Sequence, residues 1–174
     1  MILSLIYYGN PLLRTRSKEI LEIDSEVKQL ISDMVETMDA NNGVGLAAIQ
    51  VGKPLRVFIV RPILESEEGE GSLGEVEIYI NPKITKLSLE SDVMSEGCLS
   101  LPSVHADVER PLSIQIDALD IDGNKISKKL SGFHARELMH ENDHLNGVLF
   151  IDRLPAKKRK DVESQLKVII QKYN

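Results

Sequence analysis

The pentapeptide His140-Glu141-Asn142-Asp143-His144 is the sequence feature that most constrains the fold of this chain. On a helix, four residues turn the second histidine only about 40° from the first, one turn further along. Both imidazoles can then reach a single metal ion, and Glu141 lies beside that ion without being forced to bind it. The pattern predicts a helix over residues 133–145 that carries part of a metal site. The alternative is a helix with two surface histidines.

A catalytic metal site needs a third protein ligand and an open fourth position. A third histidine six residues after the second is excluded, because that position holds Phe150. A later glutamate, Glu163, stands among charged side chains on a predicted helix, which is typical of a solvated face. Cys98 follows Gly97, and its thiolate would be a soft, strong ligand for zinc or ferrous iron. Its alternative role is that of a small buried side chain.

These residues leave three functional classes open. A metallohydrolase would use Cys98 as its third ligand, whereas a zincin-type endopeptidase would need the later glutamate. A non-catalytic metal-binding module would close its site with a fourth side chain. The chain has no second cysteine, and His134 faces away from the other two histidines by helix phase.

The segment Gly43-Val44-Gly45-Leu46-Ala47-Ala48-Ile49-Gln50 directly follows the first predicted helix. Its two glycines permit positive φ and the close approach of another backbone. It does not fit a phosphate-binding loop, because no preceding strand, further glycine or lysine completes either nucleotide-binding pattern. Packing alone would explain the small residues and would require no partner for Gln50.

Together these segments resemble the peptide deformylase family. Its three signatures are a Gly-x-Gly-Leu-Ala-Ala-x-Gln loop, a Glu-Gly-Cys-Leu-Ser segment, and a His-Glu-x-x-His helix with Asp before the second histidine. Residues 43–50, 96–100 and 140–144 match them in order and spacing. The resemblance covers nearly the whole chain and implies one catalytic domain over residues 1–174. The implied fold is α+β, with antiparallel sheets packed around the metal-binding helix and a C-terminal helix.

The resemblance also implies an activity. The expected reaction removes the N-formyl group from the N-terminal formyl-methionine of newly made polypeptides and releases formate, through attack by a metal-bound water. Three side chains would hold the metal: Cys98, His140 and His144. Glu141 would be the general acid and base. The family favours Fe²⁺, although Zn²⁺, Ni²⁺ or Co²⁺ also suit this ligand set.

Further residues match the family's substrate contacts. Gln50 and the backbone N–H of Leu99 would polarise the formyl oxygen. Val44 and Gly45 would border the site for the substrate backbone and the methionine side chain. His105 stands where family members often carry arginine, so it is either a substrate contact or an exposed loop histidine.

Composition limits the expected partners. The net charge of −6 and the absence of tryptophan argue against DNA binding. No stretch approaches the length of a membrane span. Cys98 is the only cysteine, which excludes an intrachain disulfide and suits a reducing cytoplasm. We therefore expect a cytoplasmic protein without DNA or membrane partners. The family resemblance implies that it binds N-formylmethionyl nascent peptides, and we expect it to be a monomer.

Hydrophobic patterns elsewhere predict a run of strands with helices segregated around them, which also favours α+β. A helix is expected over residues 25–41, capped by Asp24 or Ser25. A final helix is expected from Pro155, in its first turn, to residue 172. Residues 65–74 are expected to form an acidic, solvated loop. The predicted strands cover residues 55–60, 76–80, 84–89, 112–119, 125–130 and 148–151.

Two charge patterns add predictions. Glu96 and Arg110 flank the Cys98 segment and are expected to pair and steady it, the alternative being two unrelated surface charges. The cluster Lys157-Lys158-Arg159-Lys160 is predicted at the N-terminal end of the final helix, where its charge opposes the helix dipole. Ribosomal RNA near the nascent-chain exit is its expected partner, the alternative being a solvated face.

Overall fold

The computed structural model describes residues 1–64 and 71–174 and confirms the α+β class. Its α-helices are α1 (Ser25–Ala40), α2 (Gly132–Leu145), α3 (Ala156–Asp161) and α4 (Glu163–Tyr173). Its strands are β1 (Gly45–Ala47), β2 (Val57–Val60), β3 (Ile63–Leu64), β4 (Ser72–Leu73), β5 (Glu77–Leu87), β6 (Ser91–Cys98), β7 (Leu101–Pro111), β8 (Ser113–Leu119) and β9 (Lys125–Ser131). Short 3₁₀ helices cover Pro11–Arg14, Ala48–Val51 and Phe150–Arg153.

The α1 helix forms as its sequence predicts. The Asp24 side chain caps it by accepting a hydrogen bond from the backbone N–H of Val27 at 2.9 Å. Apolar side chains three and four residues apart bury one face of the helix, among them Ile31, Met34 and Met38.

All paired strands are antiparallel in the part of the chain that the structure describes. Five of them form one sheet in the order β1-β2-β5-β8-β9, while β6 and β7 pair as a separate hairpin. The two strands predicted on either side of Asn81 are the single strand β5. Its register shifts between Ile80 and Lys83, and Asn81 has a φ of 48°. A bulge therefore bends one strand where the sequence predicts two.

The α2 helix packs against the five-stranded sheet, and this contact builds the core around the candidate site. Its residues Leu138 and Leu145 are fully buried in one cluster with Phe58, Tyr79 and Ile116. The metal-binding motif is thus carried by a helix whose other face is fixed by packing. Among the described residues, no helix combines the length and the apolar character needed to cross a membrane.

Three predicted elements need correction. The strand predicted at residues 148–151 is wrong, because Phe150–Arg153 forms a 3₁₀ helix in which Asp152 accepts a hydrogen bond from the backbone N–H of Leu149 at 2.8 Å. The final helix is interrupted at Val162 and becomes α3 and α4, with Pro155 at the N-cap of α3. Within the predicted loop at 65–74, Ser72–Leu73 pairs with β3, and residues 65–70 lie outside the described residues.

Candidate metal centre

Three side chains that could bind a metal ion converge where α2 meets the β6–β7 hairpin. The ligand atoms of Cys98, His140 and His144 all lie within 4.8 Å of one another. Cys98 Sγ is 3.3 Å from His144 Nε2, and the two imidazole centroids are 5.1 Å apart. One thiol and two imidazoles are a ligand set of catalytic sites, in which the fourth position is kept for water or substrate.

Cys98 reaches this point through an irregular hairpin. The pairing of β6 with β7 shifts register between Glu96 and Cys98, and such bulges re-aim nearby side chains. A β-carbon on Gly97 would lie 2.8 Å from the His105 ring. Glycine therefore allows that ring to lie against the backbone next to the candidate ligand.

The two histidines differ in their surroundings. His140 Nδ1 lies 2.9 Å from Glu96 Oε1, which leaves Nε2 for the cluster. Burial alone would lower the pKa of His140, but hydrogen bonds with Cys98 and Glu96 raise it well above its usual value. Burial lowers the pKa of His144 well below its usual range, so this imidazole is in the neutral form that binds metals. The surroundings therefore favour the protonated form of His140 and the neutral form of His144.

Glu96 lies at the centre of a buried ionic network. Arg110 Nε and Nη2 donate to its two oxygens at 2.6 and 2.8 Å, and Arg136 Nη1 donates at 2.7 Å. Burial alone would raise the pKa of Glu96, but hydrogen bonds with Arg110 and His140 lower it to about 2. The predicted Glu96–Arg110 pair is confirmed. It is buried, and it connects the Cys98 strand to His140.

The same network continues into α2. Arg110 Nη1 donates to Asp143 Oδ2 at 3.0 Å, and Arg153 donates to both Asp143 oxygens at 2.6 Å. Sequence analysis missed Arg136 and Arg153. A signal for Arg136 was present, because a charged residue on a helix face expected to be buried needs a partner.

Glu141 is buried beside the cluster, with 5% of its surface exposed. Burial raises its pKa to about 7. A β-carbon on Gly45 would lie 2.4 Å from Glu141 Oε1, so glycine lets the backbone of β1 lie against this carboxyl. A carboxyl that titrates near neutral pH can both accept and return a proton.

Gln50 directs its amide nitrogen toward Cys98. The backbone N–H of Ala47 donates to Gln50 Oε1 at 2.8 Å, which fixes the amide. Gln50 Nε2 then lies 3.1 Å from Ser100 Oγ and 3.4 Å from Cys98 Sγ. The side chain is fully buried. The loop at residues 43–50 therefore brings a hydrogen-bond donor to the cluster, beyond the packing role of its small residues.

A cavity of about 600 Å³ lies over the cluster. Most of the sequence-predicted site residues line it: Val44, Gly45, Gln50, Cys98, Leu99, His140 and Glu141. His144 is fully buried beneath them. His105 is exposed and also lines the cavity. Glu163 is exposed at the start of α4 and away from the cavity, as expected for a solvated side chain.

The chain matches a family model over most of its length. This model, described as polypeptide deformylase, matches residues 2–160. The chain belongs to the polypeptide deformylase family. The resemblance inferred from the three motifs is confirmed, as is the fold that it implied.

Individual deformylases are similar to this chain in sequence and in structure. The peptide deformylase of Rhizorhabdus wittichii is 45% identical over 158 residues, which cover 90% of this chain and 89% of the relative. That of Psychrobacter cryohalolentis is 39% identical over 170 residues, covering 98% of this chain and 89% of the relative. The crystal structure of the Ehrlichia chaffeensis enzyme, 38% identical, superposes with a TM-score of 0.88 over 97% of this chain and 96% of that chain. This deformylase is a metal-dependent hydrolase that removes the N-formyl group from nascent peptides.

One further buried carboxyl of this deformylase escaped sequence analysis. Glu137 lies one helical turn before Glu141, is 6% exposed, and lines the cavity. Among the described residues, neither of its carboxylate oxygens has a hydrogen-bond partner. Burial, with the nearby charges of Glu141 and Glu77, raises the pKa of Glu137 to about 8. The signal that could have found it is its spacing of three residues from His140 and four from Glu141, which places it on the face of the helix that carries the metal-site motif.

Proposed function

We propose that Cys98, His140 and His144 hold one divalent metal ion, and that Glu141 moves the protons of N-formyl hydrolysis. The substrate is the N-terminal formyl-methionine of a newly made polypeptide, and the products are formate and a free α-amine. The convergence of three ligand atoms within 4.8 Å of one another carries this proposal.

The donor set fits a metal ion. A thiolate and two neutral imidazoles leave a net single positive charge on a divalent ion. The contact of His140 Nδ1 with Glu96 is typical of histidines that bind metal through the other nitrogen. Nitrogen and sulfur ligands accept Fe²⁺, Zn²⁺, Ni²⁺ or Co²⁺. We propose Fe²⁺, which the family resemblance favours.

Glu141 supports the proton transfers in this proposal. When bound, the ion supplies Lewis acidity, which acidifies a water and polarises the formyl oxygen. Glu141 accepts the proton of that water and delivers it to the departing amine, which is otherwise a poor leaving group. Its pKa of about 7, raised by burial, suits both directions of transfer near neutral pH.

Two donors are proposed to stabilise the oxyanion that forms from the formyl oxygen. Gln50 Nε2 is held toward Cys98 by the contact of its own oxygen with Ala47. The backbone N–H of Leu99 directly follows the candidate ligand. One missing donor of this kind typically costs about 2.7–4 kcal/mol of barrier. Val44 and Gly45 are proposed to border the substrate backbone and the methionine side chain.

Metal removal and replacement test this function. The protein is purified without oxygen, its metal content is measured, and formate release from N-formyl-Met-Ala-Ser is followed. A chelator should abolish the activity, and Fe²⁺ should restore it more fully than Zn²⁺. Unchanged formate release from metal-free protein would overturn the proposal. Cleavage of internal bonds in unformylated peptides, without formate release, would favour the zincin-type endopeptidase instead.

We also propose that the basic cluster on α3 contacts ribosomal RNA near the nascent-chain exit. Lys157, Lys158 and Lys160 are exposed, whereas Arg159 is half-buried and donates to the Tyr8 hydroxyl at 3.3 Å. The break at Val162 places Lys158, Arg159 and Lys160 in the last turn of the short helix α3, where they complement its dipole. The prediction that the cluster opposes its helix dipole is therefore wrong and no longer argues for a partner. Only the exposure and the charge of the cluster support contact with ribosomal RNA.

We further propose that residues 1–174 form a single catalytic domain, which acts as a cytoplasmic monomer. The single domain is supported by the shared core, in which α2 packs against the large sheet while its histidines meet the hairpin cysteine.

A further inference from the structure

Two tyrosines from opposite ends of the chain stack at the cavity of the metal cluster. The rings of Tyr7 and Tyr173 have centroids 4.0 Å apart and an interplanar angle of 25°. Both residues line the cavity that also contains Cys98, His140 and Glu141. Tyr173, in the last turn of α4, remains 37% exposed. An aromatic surface is therefore continuous with the site where the formyl group reacts.

The backbone around Tyr7 is tied to the two segments that supply site residues. The N–H of Ile6 donates to the carbonyl oxygen of Gln50 at 2.8 Å. The N–H of Tyr8 donates to the carbonyl oxygen of Ser100 at 2.8 Å. Tyr7 thus lies between the glycine loop and the Cys98 turn, and its position relative to the cluster is fixed by the backbone.

The end of α4 is docked onto the same segment. Asn174 Nδ2 donates to the carbonyl oxygen of Tyr8 at 2.8 Å. Gly9 has a φ of 104°, and a β-carbon there would lie 2.9 Å from Ile170 Cγ1. The close approach that glycine permits brings the last turn of α4 against residues 8–9, which holds Tyr173 on Tyr7.

The path of the substrate indicates what this aromatic surface binds. The formyl group must lie at the cluster, and the polypeptide behind it has to leave through the mouth of the cavity. A cavity of about 600 Å³ has room for more than one residue. Aromatic rings with one exposed side bury apolar side chains with little loss of conformational freedom.

We propose that Tyr7 and Tyr173 form an outer subsite that binds apolar side chains at the second and third residues of the formylated peptide. This subsite rests on the function proposed above, since it presumes that the formyl group reacts at the Cys98 cluster. It makes the last helix a specificity-determining element of the deformylase.

Two peptides that differ only beyond the first residue test the subsite. The values of kcat and KM are measured for N-formyl-Met-Leu-Leu and N-formyl-Met-Ser-Ser. The wild-type enzyme should prefer the leucine peptide by about threefold to tenfold in kcat/KM, mainly through KM. Tyr173→Ser should remove this preference by lowering kcat/KM for the leucine peptide more than for the serine peptide. Tyr173→Phe, which keeps the ring, should retain the preference.

Val168→Ser is the matched control, because Val168 is an exposed apolar residue of α4 away from the cavity. It should leave the preference unchanged. An equal loss on both peptides in Tyr173→Ser would show a merely structural role and overturn the subsite. A wild-type enzyme that hydrolyses both peptides without preference would also overturn the subsite. Failure of the wild-type enzyme to release formate from either peptide would overturn the proposed site as well.

Discussion

Gly45 is the residue at which the β1 backbone comes closest to Glu141. A β-carbon there would lie 2.4 Å from Glu141 Oε1 and 2.9 Å from its Cδ. Gly45→Ala should displace the carboxyl and lower kcat/KM by about tenfold or more, because small misplacements of catalytic groups are costly. Since no ligand is changed, metal content should stay at the wild-type level. Steady-state kinetics and metal analysis on the same sample measure both quantities.

Gly43→Ala is the control for this substitution. A β-carbon on Gly43 would meet the end of one flexible side chain, Leu99 at Cδ1, 2.8 Å away, and would lie 3.3 Å from Met38 Cγ. These atoms can shift, so we expect a smaller loss of kcat/KM than for Gly45→Ala. Equal losses in the two variants would show that contact with Glu141 is not the cause.

Glu137 should make stability depend on pH. Its pKa is raised from 4.5 to about 8 in the folded protein, so between these values the folded state holds a proton that the unfolded state has lost. The stability that this bound proton contributes is fully present below pH 4.5 and is lost as the pH rises from about 4.5 to about 8. Glu137→Gln cannot ionise, and its free energy of unfolding relative to wild type should rise by about 3–4 kcal/mol between pH 5 and pH 8.

Denaturant unfolding of both proteins at several pH values measures this difference. Groups that do not interact with Glu137 titrate alike in the two proteins and cancel in the comparison. A constant gap between the two stability curves would show that Glu137 ionises normally.

At the scale of elements, the Glu96–Arg110 pair joins β6 to β7, and each partner also contacts α2, Glu96 at His140 and Arg110 at Asp143. Both side chains are buried, with 6% and 2% of their surfaces exposed, so removal of one partner leaves an uncompensated charge. A double-mutant cycle with Glu96→Gln and Arg110→Met should give a coupling energy of about 1–3 kcal/mol in the free energy of unfolding. Metal affinity should fall in each single variant, because Glu96 also orients His140.

The Arg61–Asp39 pair provides the comparison for this cycle. Its atoms lie at a similar distance, 2.9 Å, but the side chains are 21% and 50% exposed. Exposed pairs contribute about 0–1 kcal/mol, so a cycle there should show weak coupling. Coupling of equal size in the two cycles would argue that burial does not strengthen the Glu96 pair.

Hydrophobic patterns in the sequence predicted α1 and β8, whose two faces differ in polarity, and the apolar run of β2, but they did not predict β6 and β7. α1 and β8 alternate buried and exposed positions with the expected periods. In β6 most residues are exposed or half-buried, so hydrophobic alternation could not reveal it. The strand predicted at residues 148–151 failed because a buried apolar run also suits a 3₁₀ turn.

At the scale of the whole molecule, the candidate site combines a local motif with a distant residue. Helical spacing alone placed His140, His144 and Glu141 together. Cys98 comes from a hairpin whose register shift has no clear local signature, so it was selected by the weakness of the downstream candidates, by its place after Gly97 and by the family resemblance. Tyr173 entered the cavity through tertiary packing, which periodicity does not encode, whereas helical spacing places Glu137 on the same face as Glu141.

Ribosome binding is also a property of the whole molecule. A variant with glutamine at Lys157, Lys158 and Lys160 keeps Arg159 and its contact with Tyr8. It should co-sediment with ribosomes less well than wild type. The slope of the logarithm of the binding constant against the logarithm of the salt concentration should be smaller by up to about three. Identical binding and slope would leave the cluster as ordinary solvated surface.

The central claim is that Cys98 and the two α2 histidines bind the metal while Glu141 only moves protons. It is tested most directly by measuring metal content and kcat/KM together in single variants. Cys98→Ala should lose most of its metal and its activity, whereas Glu163→Gln should match wild type in both. Glu141→Gln should keep one metal ion per protein while kcat/KM falls by about 10²–10⁴ or more. Full metal content in Cys98→Ala, or loss of the metal in Glu141→Gln, would contradict this assignment.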